Sequence, residues 1–296
     1  MKNGLKIIVV LMLAIIGIGI LYLTGCFRKE PSLWTITQYA SASGGQAMIY
    51  TIKSDDGRFA VIDGGWEADA DGLRKVITEN GNHITDWIIT HPHPDHVGAF
   101  NVIMAEPGEI AVDHIYVTPV NYDRYKETAQ DYDGYESCET YRGIIEKLDN
   151  VYEVHENDEI DIIGLKMKAL HVWNEEVDEL PDHLCNDGSI MFRLDGKCES
   201  MLFCADVQSE MESYIIDRHK DELNVDYVQT GHHGNWGLST DFYKHTTPKA
   251  VFFDSTDALL TPGDLGFDAG ELKTYFEEQG ALFYNYGTAP NAITLK

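Results

Sequence analysis

Basic residues are scarce in this chain: 22 Lys and Arg stand against 49 Asp and Glu, for a net charge of −27. Sequence-independent nucleic-acid binding depends on Lys and Arg neutralising phosphates, so extended contact with DNA or RNA is disfavoured. A neutral or cationic substrate suits such a surface better. Signatures of several other chemistries are also missing. There is no Gly-x-Ser-x-Gly nucleophile elbow, no Gly-x-x-x-x-Gly-Lys phosphate loop and no His-Glu-x-x-His helix. Cysteine is limited to five positions. Cys26 lies near the N-terminus; the other four, Cys138, Cys185, Cys198 and Cys204, permit two disulfides in three pairings, or four buried free thiols.

What remains is the composition of an ordinary globular protein. The 296 residues, 44% hydrophobic and 11% aromatic, are enough for one large domain with a sizeable core. Lys2 and Lys6 precede an apolar run over 7–23, the pattern of an export signal. The run ends in Leu23-Thr24-Gly25-Cys26, which resembles a bacterial lipobox. That resemblance implies removal of residues 1–25 as a lipoprotein signal peptide, lipidation of Cys26, and a short tether over 26–32. A plain membrane anchor is the alternative, since the run is almost long enough to span. Either arrangement puts the domain at 33–296 on the extracytoplasmic face of the bacterial cell membrane.

Within that domain, runs rich in β-branched and aromatic residues at 34–39, 47–53 and 59–62 read as strands separated by Ser/Gly and Asp-Asp-Gly turns. A helix is expected over 69–80 and a short buried strand over 87–90. The second half repeats the grammar. A hairpin is expected across Asp195-Gly196-Lys197 (189–194 and 201–205). Helices follow at 210–218, 239–245 and 269–279, and strands at 227–229, 250–254, 281–286 and 292–295. Strands before helices in both halves predict an α/β (α+β) fold, a four-layer αββα sandwich of two packed mixed sheets with outer helices. Residues 119–150 form a tyrosine-rich, acidic insertion. Its rings either pack onto the body or line a lid able to hold a sugar or quaternary ammonium group.

The chemistry concentrates in His91-Pro92-His93-Pro94-Asp95-His96, directly after the buried strand. Prolines at 92 and 94 push His91 and His93 to extended backbone, and side chains two apart in extended chain share a face. His91, His93 and Asp95 should therefore converge, with His96 where the chain turns into a helix over 97–104. Imidazole and carboxylate suit zinc and related ions. So many of them this close are hard to satisfy without a cation.

Thr-His-Pro-His-Pro-Asp-His-Val-Gly-Ala at 90–99 resembles the H-x-H-x-D-H signature of the metallo-β-lactamase superfamily. Val61-Ile62-Asp63-Gly64-Gly65, Phe203-Cys204-Ala205-Asp206 and Gly231-His232-His233-Gly234 extend the likeness in order, with Ala205 where Gly is usual. Together with Asn186-x-x-Ser189, the set is most similar to the extracellular hydrolase domain of DNA-uptake competence proteins.

The resemblance implies two divalent ions, zinc first, with manganese or iron as alternatives, though a one-metal enzyme stays open. His91 and His93 would hold one; Asp95 and His96 a second, with Asp206 bridging. One histidine of the His232-His233 pair completes the second site, with His232 as the ligand and His233 left to donate to a substrate oxyanion. Asp95 would orient the metal-bound hydroxide, and Asp63 would fix the tautomer of a ligand histidine. The first metal lacks the histidine most members place between the motif and Asp206. The Asn186 region takes that place without strong ligation, or His171 supplies the ligand. His155 and His219 read as surface residues.

The expected function is hydrolysis of a phosphodiester or related ester, on a cell-envelope polymer or small ester. The alternatives are a lactone, thioester or β-lactam hydrolase, or a non-catalytic lipoprotein with a degenerate metal site.

Overall fold

A computed structural model of the chain describes residues 32–260 and 269–296. The expected signal peptide at 1–25, the expected lipidation at Cys26 and nearly all of the expected tether at 26–32 fall outside the described residues.

One sheet contains β1 (Trp34–Gln38), β2 (Ile49–Ser54), β3 (Phe59–Asp63), β4 (His83–Ile89), β5 (Ala111–Val117) and β6 (Val151–Glu153). The other contains β7 (Glu159–Ile162), β8 (Leu165–His171), β9 (Met191–Asp195), β10 (Ser200–Phe203), β11 (Tyr227–Gln229), β12 (Ala250–Thr256) and β13 (Leu282–Tyr286). The last strand, β14 (Asn291–Leu295), returns to pair with β1, so the orders are β14-β1-β2-β3-β4-β5-β6 and β13-β12-β11-β10-β9-β8-β7. Each sheet begins as an antiparallel meander and switches to parallel pairing, at β3–β4 and at β10–β11.

The layers follow from side-chain alternation along the strands. In β3, Ala60 and Ile62 face the other sheet, while Phe59 and Val61 face outward. In β10, Met201 and Phe203 point between the sheets and Leu202 points outward. Two outer layers cover those outward faces. Leu73 and Ile77 of α1 (Ala70–Glu79) and Phe100 and Ile103 of α2 (Pro94–Ala105) cover the first sheet. On the second lie Ile215 of a helix over Glu212–His219 and Phe276 of one over Ala269–Glu278. This is the four-layer sandwich the sequence predicts.

Strands β5 to β8 go beyond the elements expected from the sequence; β6 is only three residues long, and β5 and β7 expose Asp113, Glu159 and Asp161. One local expectation is corrected. Helix α2 begins at Pro94, three residues before the expected start, because proline's fixed φ and missing N–H suit the first helical position. The insertion folds as α3 (Tyr122–Thr128), a 3-10 turn at Asp131–Asp133 and α4 (Tyr135–Ile145). Tyr125 and Tyr141 are buried in the body, whereas Tyr132 is 68% exposed. The packed reading holds for Tyr125 and Tyr141, while Tyr132 lies among the residues lining a cavity.

No disulfide occurs among the described residues; Cys138, Cys185 and Cys204 are buried, and Cys198 is exposed. Among the described residues, no helix is long and apolar enough to cross a membrane.

Candidate metal centre

The early start of α2 divides the histidine motif. His91 and His93 stay on extended chain beyond β4, with His93 capping the helix at φ −73 and ψ 153. Asp95 and His96 fall in the first helical turn, so Asp95 leaves the face predicted for it. Two groups of ligand-type atoms result, each within 4.8 Å of one another: His91, His93 and Cys185, and Asp95, His96, Asp206 and His233. All seven residues are buried.

The Asp206 carboxylate lies between the groups. One oxygen is 3.3 Å from His96 Nε2; the other is 3.2 Å from His233 Nε2 and 3.8 Å from His91 Nε2. His233 Nε2 also lies 3.1 Å from Asp95. Behind them, Asp63 accepts from the Thr90 backbone N–H and hydroxyl, each at 2.7 Å, and from His96 Nδ1 at 2.7 Å. A hydrogen on His96 Nδ1 turns Nε2 toward Asp206 as a free lone pair, the role expected of Asp63.

The backbone is strained around this point. Asp63, Ala205, His232 and His233 all have positive φ, at 53°, 47°, 46° and 59°. Left-handed backbone at non-glycine residues costs free energy and persists where surrounding structure holds it. Ala205 thus occupies the conformation that explains why glycine is usual there. The His232 N–H donates to the Ala205 carbonyl at 2.8 Å and ties the two strained turns together.

That turn exchanges the two histidines relative to expectation. His233, fully buried, joins the ligand cluster. His232 lines the adjoining cavity instead, its Nε2 4.0 Å from Asp206 and 3.5 Å from Asn186 Nδ2. Asn186 therefore faces the cavity beside His232. His171 is not brought to either group; its Nε2 meets the Asp187 backbone carbonyl at 2.5 Å. His219 is buried rather than on the surface, 2.9 Å from Glu156, while His155 is exposed as expected.

Two further residues escaped sequence reasoning. From sequence Cys185 reads only as a disulfide partner or free thiol, although it directly precedes Asn186. Asp133 arrives from the insertion, its carboxylate 3.6 Å from His93 Nε2; a lone acid in an acidic stretch carries no signal.

The residues fit metal ions on an observation independent of family. His91, His93, His96 and His233 each bury an Nε2 without a hydrogen bond. Buried polar atoms are ordinarily hydrogen-bonded, so a cluster of orphaned nitrogens facing carboxylates fits the coordination shell of a cation. Electrostatics agrees. Burial holds His91 well below the usual histidine range, and His96 pushes it the same way. At His233 burial acts downward, but Asp206 and Asp95 outweigh it and raise the ring to about 10. Asp206 is held well below the usual carboxylate range because His233 and His96 outweigh its burial. The carboxylates favour positive charge beside them, supplied here by His96 and His233, and a bound ion would supply the same.

Beside the cluster opens a cavity of about 550 Å³, walled by His93, Asp95, Asp133 and Asp206 and rimmed by Trp66, Tyr132 and Trp236.

Fold and site together define an αββα metal-binding sandwich with its centre at strand ends of both sheets. The family model of the metallo-β-lactamase superfamily matches residues 42–252, and the chain belongs to that superfamily. Among solved structures, the metallo-β-lactamase fold protein YhfI from Bacillus subtilis aligns with a TM-score of 0.50 at 9% identity, over 89% of this chain and 99% of its own. CmlA, a diiron β-hydroxylase from Streptomyces venezuelae, aligns with a TM-score of 0.54 at 13% identity, over 88% of this chain and 54% of its own. At such identities the likeness is one of fold. No curated protein matches the sequence.

Proposed function

We propose that this chain is a two-metal hydrolase of phosphodiesters or related esters, lipid-anchored through Cys26 outside the cytoplasm. The observation that carries the reading is Asp206, whose carboxylate stands between two groups of buried ligand atoms at the wall of an open cavity. When bound, a pair of ions supplies Lewis acidity toward ester oxygens and makes water acidic enough to attack at neutral pH.

The chain's own residues do the rest. His91 and His93 hold one side, Asp95, His96 and His233 the other, and Asp206 faces both. Asp95, on the cavity wall, is placed to orient the attacking water and accept its proton. His232 and Asn186 sit across the same cavity, where an N–H of either can donate to a substrate oxygen.

Substrate class is inferred from charge and shape. A cavity of about 550 Å³ admits a small ester or the end of a polymer rather than a long strand. Its aromatic rim and acidic surroundings favour a choline- or amine-bearing envelope component over DNA, despite the likeness to competence proteins. The same centre can serve carbonyl substrates, so lactones, thioesters and β-lactams form the second reading.

The test is a substrate panel on the zinc-loaded protein: bis-p-nitrophenyl phosphate, p-nitrophenyl phosphorylcholine, single-stranded DNA, a lactone and nitrocefin. Turnover is expected on the phosphodiesters. His93→Ala should reduce it by more than the roughly 10–100-fold typical of changes behind a ligand. Activity that survives His93→Ala places the catalytic centre elsewhere, and turnover of nitrocefin or the lactone alone moves the chain to the second reading.

A further inference from the structure

The group around His91 and His93 contains no third histidine; the atom that faces them is the Cys185 sulfur. Cys185 is 2% exposed and sits in a short helix, Leu184–Asp187, that leaves it little freedom. The Gly188 N–H donates to the Leu184 carbonyl at 2.7 Å, and the Ser189 N–H to the Asn186 carbonyl at 3.0 Å. Asp187 Oδ1 accepts from the Gln208 N–H at 2.9 Å. A Cβ on Gly188 would overlap the Trp173 ring, so the turn is also held from behind.

Opposite the thiol, His91 is fixed by Thr90, whose hydroxyl lies 3.2 Å from Nδ1. Its Nε2 is buried without a hydrogen bond, as is that of His93. Both histidines present a ring nitrogen in one group with the sulfur, the three ligand atoms within 4.8 Å of one another. Tyr125, 1% exposed, lies beside His93 with ring centroids 6.2 Å apart.

From this juxtaposition, and resting on the two-metal reading above, we infer that Cys185 is the third protein ligand of the first metal, bound as thiolate beside His91 and His93. Binding breaks the S–H bond, forms the sulfur–metal bond and releases the proton to solvent. A coordinating thiol is deprotonated outright by the ion, even where burial disfavours the free thiolate. The consequence is selectivity. A thiolate with two imidazoles favours zinc over manganese or magnesium more strongly than an oxygen third ligand would. Sulfur also donates charge to the first ion, leaving the Asp95–His96–His233 ion as the stronger Lewis acid.

The full-length protein loaded with cobalt(II) tests this by absorption. The wild type should bind two cobalt ions and show an intense thiolate-to-cobalt charge-transfer band in the near ultraviolet. Cys185→Ser should lose that band, while Cys204→Ser, a buried thiol outside the group, should keep it. Should the variant fail to fold, X-ray absorption at the zinc edge of the wild type reads the ligand directly, with a sulfur at about 2.3 Å. Two bound ions without a sulfur signal overturn the inference and leave the two-metal hydrolase standing, with Asp133 or water as the third ligand. A Cys138–Cys185 disulfide found by thiol titration also overturns it. Failure to bind any metal overturns both.

Discussion

At the scale of single residues, the centre is organised by groups that never touch an ion. Asp63 has no exposed surface, yet its two oxygens accept three hydrogen bonds that lock Thr90 and His96 in place. Asp63→Asn keeps the shape but presents an amide where a carboxylate faces His96 Nδ1. The ring then loses the charge that makes Nε2 a strong donor, and metal affinity should fall about 10–100-fold in a zinc-competition titration. An unchanged affinity would reduce Asp63 to a turn residue. The sequence made Asp63, Asp95, His96 and Asp206 legible because residue type and order suffice for them. It could not say which of His232 and His233 turns inward. Adjacent residues in left-handed backbone reverse the usual alternation, and nothing in the letters His-His marks that conformation. Cys185 was hidden for a related reason, since a buried cysteine is commonly a small hydrophobe.

At the scale of elements, α2 is the part on which the site's geometry depends. Its first turn carries Asp95 and His96, and its middle lies against the turn that brings Trp66 to the cavity rim. A Cβ on Gly98 would stand 2.5 Å from the Trp66 carbonyl carbon, too close for any side chain. Because the obstacle is backbone, Gly98→Ala must push the helix and the turn apart. The expected loss is about 1–3 kcal/mol of stability, read by denaturant titration, together with weaker metal binding. A variant as stable as wild type would show that the close approach is not required. The strands that enclose the core were legible from periodicity. The edge strands β6 and β7, the neighbouring β5 and β8, and the exact entry to α2 were not. An edge strand with one wet face looks like loop, and a proline inside the motif reads as extended chain until the helix it starts is known.

At the scale of the molecule, the centre joins two halves of one chain. His91, His93, Asp95 and His96 follow a strand of the first sheet; Cys185, Asp206 and His233 come from turns around the second. Neither half holds all the candidate ligands, so metal bound among them would be coupled to the folded arrangement of both. Two ions that bind only the native state, each at about thirty times its Kd, together stabilise it by about 4 kcal/mol. For a domain of this size that corresponds to roughly 10 °C in Tm. The most direct test is therefore a chelator titration of the full-length protein, with bound metal per chain and Tm recorded together. Two equivalents bound, and a Tm that falls by roughly 10 °C as they are removed, is the predicted result. Less than one equivalent bound, with a Tm indifferent to chelation, would contradict the two-metal centre at its root.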